Sequence, residues 1–267
     1  MNRLLYLVLT LLVLSSCTRK YKIEGISSVT SLDGKMAFIK IIKDNELVKI
    51  DSGEVVHGKF TMTGKADSTI MGNLFIGDQS IMPIVIEKGT IKVNIDIAKQ
   101  KVSGTPLNEK LYSFIEKKNQ IDAQAEELSH KESQMIMDGK DPDEIQQSIM
   151  LEAKKLNSEA ERMETDFITS NFDNVLAAGV FMMLSSGYPY PILTPQIDEI
   201  MSKAPATFRD NPYVKDYMTA AQENLRRMQQ QQQTAPADEF ANPNASQSPQ
   251  QQQSPIAISG APTYMTE

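Results

Sequence analysis

The chain has 267 residues, a formal net charge of −7, 40% hydrophobic residues, 6% aromatics and no tryptophan. That length allows one large or two small domains with tails. The acidic balance, with no clustered basic patch evident along the sequence, argues against nucleic-acid binding, and the shortage of aromatic rings argues against a sugar-stacking platform.

Residues 1–16 read as an export signal: Arg3 gives a positive start, Leu4 to Leu14 is an apolar run, and small residues follow. The run is about half the ~20 residues that a spanning helix needs. Leu14-Ser15-Ser16-Cys17 resembles the bacterial lipobox, in which the leader is cut before the cysteine. The resemblance implies a diacylglycerol on the Cys17 thiol and a further acyl chain on the new amino terminus, an anchor to the lipid bilayer. Cys17 is the only cysteine, so a lipidated chain has no free thiol, no internal disulfide and no thiol catalysis. Only Thr18, Arg19 and Lys20 precede the first strand-like residues, a reach of roughly 10 Å at ~3.3 Å per extended residue. The first domain is therefore expected close to the lipid surface, with Arg19, Lys20 and Lys22 toward the headgroups. Surface-exported lipoproteins of the Bacteroidetes type carry acids just after the cysteine, and inner-membrane retention uses an acid immediately after it. Thr-Arg-Lys fits neither, so the periplasmic face of the outer membrane is the expected location.

Residues 17–104 read as short strands punctuated by turn dipeptides such as Asp33-Gly34, Asp44-Asn45, His57-Gly58, Gly77-Asp78 and Lys88-Gly89. Ile91, Val93, Ile95 and Ile97 alternate with polar residues and predict a half-buried strand over 91–97. Residues 35–42 are apolar on both faces, which predicts a strand covered on both sides. Further strands are expected over 47–50, 55–57, 59–63, 70–76 and 81–87, arranged as an antiparallel sandwich or small barrel. His57 reads as a turn residue rather than a metal ligand or general base, because no second His or Cys lies near it in sequence. Asp67-Ser68-Thr69 resembles the short sequence at which Bacteroidetes envelope proteins are O-glycosylated, which makes Ser68 a candidate modification site.

From Thr105-Pro106 the apolar period lengthens to about 3.6, and residues 105–228 read as a helical domain. Thr105 is placed to cap the first helix, with Pro106 at its first position. Leu107, Leu111, Phe114, Ile121, Ala125, Leu128 and Met135 form one stripe. After a break over 138–142, Asp141 caps a second helix in a capping box with Glu144. Ile145, Ile149, Leu156, Ala160, Met163 and Phe167 continue the pattern, which predicts an αα-hairpin. The charged faces read as solvated, and Met135, Met137, Met150 and Met163 read as core filler rather than a metal- or heme-facing row. His130 looks exposed; with His57 in the other domain, no zinc site or Ser/His/Asp triad is expected, and no cofactor is assigned. Residues 174–186, apolar nearly all round, predict a buried central helix. Thr194-Pro195 and Asn211-Pro212 open two more helices, and residues 229–267, rich in Gln, Pro, Ser and Ala, are expected to be a disordered tail. The whole is an α+β chain: a β domain, then a helical domain, then a tail.

The succession Asp51-Ser52, Val55, Gly58-Lys59-Phe60, Gly64, then Ile86-Glu87-Lys88-Gly89-Thr90-Ile91-Lys92-Val93 and Val102-Ser103-Gly104-Thr105-Pro106-Leu107-Asn108 resembles the DUF4369 domain of Bacteroidetes envelope proteins. The helical stretch from Phe167 through Tyr217 resembles the region that follows it. In many such proteins a thioredoxin-like domain of the TlpA or AhpC/TSA type comes next, with a Cys-x-x-Cys motif. Here that motif has no counterpart, so no redox residue is carried over. The reading that results is a non-enzymatic lipoprotein with an envelope protein partner. Its alternatives are an accessory partner of a separate thioredoxin-like oxidoreductase, or a small hydrolase or binding protein using carboxylates.

Overall fold

Alternation of apolar and polar residues builds the first half of the chain, and a helical period the second. The computed structural model describes residues 20–43 and 46–234 and separates the chain into two units, divided between Tyr112 and Ser113. The leader, Cys17, the Asp44-Asn45 turn and residues 235–267 lie outside the described residues.

The first unit holds β1 (Lys20–Ser27), β2 (Met36–Lys43), β3 (Glu46–Glu54), β4 (Lys59–Lys65), β5 (Ile70–Ile76), β6 (Gln79–Ile86), β7 (Gly89–Ile95) and β8 (Gln100–Ser103). They form two four-stranded sheets, ordered β4-β1-β7-β8 and β3-β2-β5-β6. Both sheets keep open edges, so the arrangement is sandwich-like and not a barrel. The pairing is antiparallel except between β1 and β7, which run parallel. No hairpin joins those two; β7 arrives from β6 in the other sheet and settles beside β1 in the same direction.

The inner faces supply the core: Ile23, Ile91 and Val102 from one sheet, and Ala37, Ile39, Leu74 and Ile84 from the other, all fully buried. Burying each large aliphatic side chain contributes ~1.5–3 kcal/mol. Across the β1–β4 ladder, two aromatic residues stand opposite glycines: Phe60 faces Gly25 and Tyr21 faces Gly64. A Cβ on Gly25 would lie 2.1 Å from the Phe60 ring, and one on Gly64 2.4 Å from the Tyr21 hydroxyl. Each ring occupies the space that its partner's missing side chain leaves.

Several strand expectations change, and the strand expected over 47–50 runs from Glu46 to Glu54. Residues 55–57 form no strand; Val56 and Lys59 make a single bridge around His57 (φ 51°) and Gly58 (φ 70°), a two-residue turn with both φ positive. The strand expected over 91–97 ends at Ile95, which leaves Ile97 74% exposed. β2 buries Ala37 and Ile39 but exposes Met36 and Ile42, so it is not covered on both faces. β8 was not anticipated; its four residues are too few to show a period.

The helices are α1 (Pro106–Met137), α2 (Pro142–Thr169), α3 (Val175–Ser185), α4 (Pro195–Lys203), the short α5 (Ala206–Arg209) and α6 (Pro212–Thr234). The first seven residues of α1 belong to the strand unit. α1 and α2 pair through Phe114 and Phe167, whose rings lie 4.4 Å apart, and through the Lys131–Glu152 ion pair. Between them Gly139, at φ 70°, ends α1: its N–H donates to the Ile136 carbonyl and the Lys140 N–H to that of Met135. This is the Schellman pattern that a left-handed glycine permits. Asp141 then caps α2 by accepting from the N–H groups of Asp143 and Glu144, while Glu144 itself pairs with Lys140 at 3.5 Å.

α3, capped by Asn174, buries Leu176, Ala177, Val180 and Phe181 but leaves Met183 37% exposed, so it is central without being enclosed. Phe181 is the hub of an aromatic cluster with Phe208, Tyr213 and Tyr217 at 5.5–6.5 Å. Thr194 and Asn211 cap α4 and α6 as the sequence predicts. α6 continues six residues past Met228, through the run of glutamines to Thr234. Glutamine is a good helix former, and a helix already nucleated extends through it at little cost.

Candidate functional site

Polar chemistry gathers in three places. The first is the start of α1. Its first N–H groups, which have no partner within the helix, are satisfied from β6's end rather than by Thr105: the Leu107 and Asn108 N–H groups donate to Glu87 Oε1 at 2.8 and 3.2 Å. A carboxylate there also complements the helix dipole. Asn108, fully buried, accepts from the Val85 N–H (2.9 Å) and donates to the Val85 carbonyl (2.7 Å) and Thr105 Oγ1 (2.8 Å). Its side-chain amide thus completes the free edge of β6 as a neighbouring strand would. Tyr112 adds a bond to the Pro83 carbonyl at 2.8 Å. These bonds are internal to the protein.

The second place is the end of the strand unit where β1 begins. The Tyr21 hydroxyl donates to Asp51 Oδ2 at 2.7 Å, joining the two sheets, and Asp51 Oδ1 accepts from the Ser52 N–H. Burial, then the hydrogen bond and charge of Asp51, raise the Tyr21 pKa, so the phenol remains a donor. A cavity of about 240 Å³ lies beside this pair, lined by Tyr21, Ile50, Lys65, Asp67, Ser68 and Ile86. An open groove of about 590 Å³ adjoins it, lined by Lys20, Lys22, Thr63, Lys65 and Thr90. Ammonium and hydroxyl groups of this kind are hydrogen-bond donors. Neither opening is lined by a histidine, so neither pairs a hydroxyl nucleophile with the usual base.

The third place is in the helical unit. Glu164, on α2, is only 8% exposed. Gln196 donates to it at 3.2 Å and the Lys118 ammonium lies 3.8 Å away. Burial raises its pKa despite both partners. Tyr188 is shifted the same way, first by burial, with the Glu164 and Glu161 charges adding to it.

Of the residues singled out from sequence, Cys17 lies outside the described residues. Ser68 is exposed on the β4–β5 loop, between Asp67 and Thr69, and lines the smaller cavity. His57 occupies the β3–β4 turn and His130 an exposed position on α1. Met135 is buried as core filler would be and Met163 is half-buried, whereas Met137 and Met150 are 78% and 57% exposed and fill no core. Among the described residues no group of three or more His, Cys, Asp or Glu could hold a metal ion, and no helix is long and apolar enough to cross a membrane. Glu87, Asn108 and Glu164 were not anticipated. Glu164 had a signal, since it stands four residues after Ala160 on the apolar stripe of its helix.

No curated protein and no solved structure matches the chain. The family model described as Domain of unknown function (DUF4369) matches residues 21–111, from β1 to the second turn of α1. That match ends one residue short of the boundary between the two units, and it includes both Glu87 and Asn108. The strand unit, with the helical turns that seal its β6 edge, is a DUF4369 domain.

Proposed function

We propose that the protein is a lipid-anchored module of the bacterial cell envelope that binds a partner rather than catalysing a reaction. The order of features at the N-terminus carries this reading: Arg3, the apolar run, Leu14-Ser15-Ser16-Cys17, and then β1 from Lys20. Acyl chains on Cys17 would hold the DUF4369 domain within a few residues of the bilayer, at the periplasmic face of the outer membrane. Two or more acyl chains hold stably where one binds only marginally, at ~0.8 kcal/mol per buried CH₂. The distribution of reactive groups supports binding over catalysis. The two histidines lie in different units, and the Tyr21–Asp51 pair is a phenol that keeps its proton and spans the sheets.

The test is metabolic labelling with palmitate of the wild type and of Cys17→Ala. The wild type is expected to take up label and to sediment with membranes, and the variant to do neither. Equal labelling of the two would overturn the anchor.

A further inference from the structure

The sequence shows no basic cluster, yet the sheet register makes one. In the β4-β1-β7-β8 sheet, inward residues are buried and outward residues face solvent. The outward positions collect Lys59 and Lys65 from β4, Lys20 and Lys22 from β1, Lys92 from β7 and Lys101 from β8. Five of these lysines are exposed and Lys101 is half-buried. Glu24 is the one carboxylate on the same face, paired with Lys22 at 2.6 Å. The other outward residues are threonines, Asn94, Ser103 and Ile26. A face with this excess of positive charge stands in a chain whose net charge is −7.

Lys20 and Lys65 are moreover direct cross-strand partners. Like charges placed directly opposite each other destabilise a sheet unless a counter-charge is supplied. The six lysines are spread over four strands with mostly shorter side chains between them, which suits an extended anionic surface rather than a single small anion. Lys20 also follows Cys17 by three residues. Extended chain spans at most ~3.3 Å per residue, so a bilayer holding Cys17 would lie within roughly 10 Å of Lys20.

We propose that this lysine face is a docking surface for anionic phospholipid headgroups, which lays the DUF4369 domain along the membrane. The proposal rests on the anchoring of Cys17 for the position of the bilayer; the charge of the face is independent of it. Each lysine brought to an anionic surface strengthens binding by about fivefold, and salt screens the effect.

The test is an amine-acetylation footprint of the full-length mature protein, read by mass spectrometry, on vesicles of phosphatidylcholine alone and of phosphatidylcholine with phosphatidylglycerol. Lys59, Lys65, Lys92 and Lys101 are expected to react about fivefold or more slowly on the anionic vesicles. High salt should reverse this, while Lys43 and Lys49 of the β3-β2-β5-β6 sheet react equally on both. Lys59→Gln with Lys92→Gln, both exposed positions, should weaken partition to anionic vesicles by on the order of twentyfold. Equal labelling on the two vesicle types would overturn the proposal. So would protection confined to Lys43 and Lys49 of the β2–β3 pair, which would mean end-on docking, or protection by duplex DNA in place of vesicles. Failure of the anchor reads out separately, as failure to float with phosphatidylcholine vesicles. The lysine comparison is then made with the soluble protein added to the anionic vesicles.

Discussion

The strand unit and the helical unit each bury a side chain that sequence patterning would place in water, and they use it differently. Asn108 in the strand unit is neutral, and its amide is paired on both sides with the Val85 backbone. Glu164 in the helical unit carries a carboxyl group, with one amide donor and a more distant ammonium for company. A neutral amide with donor and acceptor both matched gains from burial, because no charge leaves water. A carboxylate loses by it unless its partners outweigh desolvation, and the upward shift of Glu164 says that they do not. The first group closes an open sheet edge; the second makes the stability of its unit depend on pH.

The largest effect is expected where that edge is reopened. Asn108→Ala strands the Val85 N–H and C=O, both buried, and each unsatisfied group costs ~1–3 kcal/mol. A loss of about 3 kcal/mol in urea unfolding is expected. A loss below about 0.5 kcal/mol would mean that water replaces the amide and that the contrast between the units is false.

A smaller loss, ~1–3 kcal/mol, is expected from Gly25→Ala, because its Cβ would enter the space of the Phe60 ring. Phe60→Leu added to Gly25→Ala should recover part of it. A purely additive double variant would show that the ring and the glycine do not share that space.

The elements that are legible in the sequence are those whose signals are local. The strand over 70–76 is found to the residue. The caps at Asp141, Thr194 and Asn211 and the break at Gly139 lie within a few residues of what they cap. What escaped depends on partners far along the chain. Glu87 serves a helix that starts some twenty residues later, and β1 pairs parallel with a strand arriving from the other sheet. Six lysines spread from Lys20 to Lys101 become one face only when β1, β4, β7 and β8 are placed side by side. Alternation shows which side chains of a strand share a face; it does not show which strands share a sheet. Of the candidate site, the sequence offers Cys17 and Ser68, and the Tyr21–Asp51 bridge between sheets required the fold.

The smallest effect is expected from Glu164→Gln, and its sign decides whether burial or ion pairing governs that carboxyl. In the unfolded chain Glu164 titrates as an ordinary glutamate, and in the folded unit it titrates higher. Between those two values the folded form keeps a proton that the unfolded form has released. Stability contributed by the protonated group is therefore fully present below the unfolded value and is lost as pH rises through the folded one. The substituted amide would retain a carbonyl to accept from Gln196 and would carry no charge at any pH. Urea midpoints for wild type and Glu164→Gln, taken in acid and at neutral pH, should show the variant gaining on the wild type as pH rises. The opposite trend would mean that Lys118, at 3.8 Å, holds the charged carboxylate more strongly than burial opposes it. The two units would then differ only in which partners they use, not in whether burial of the polar group stabilises them.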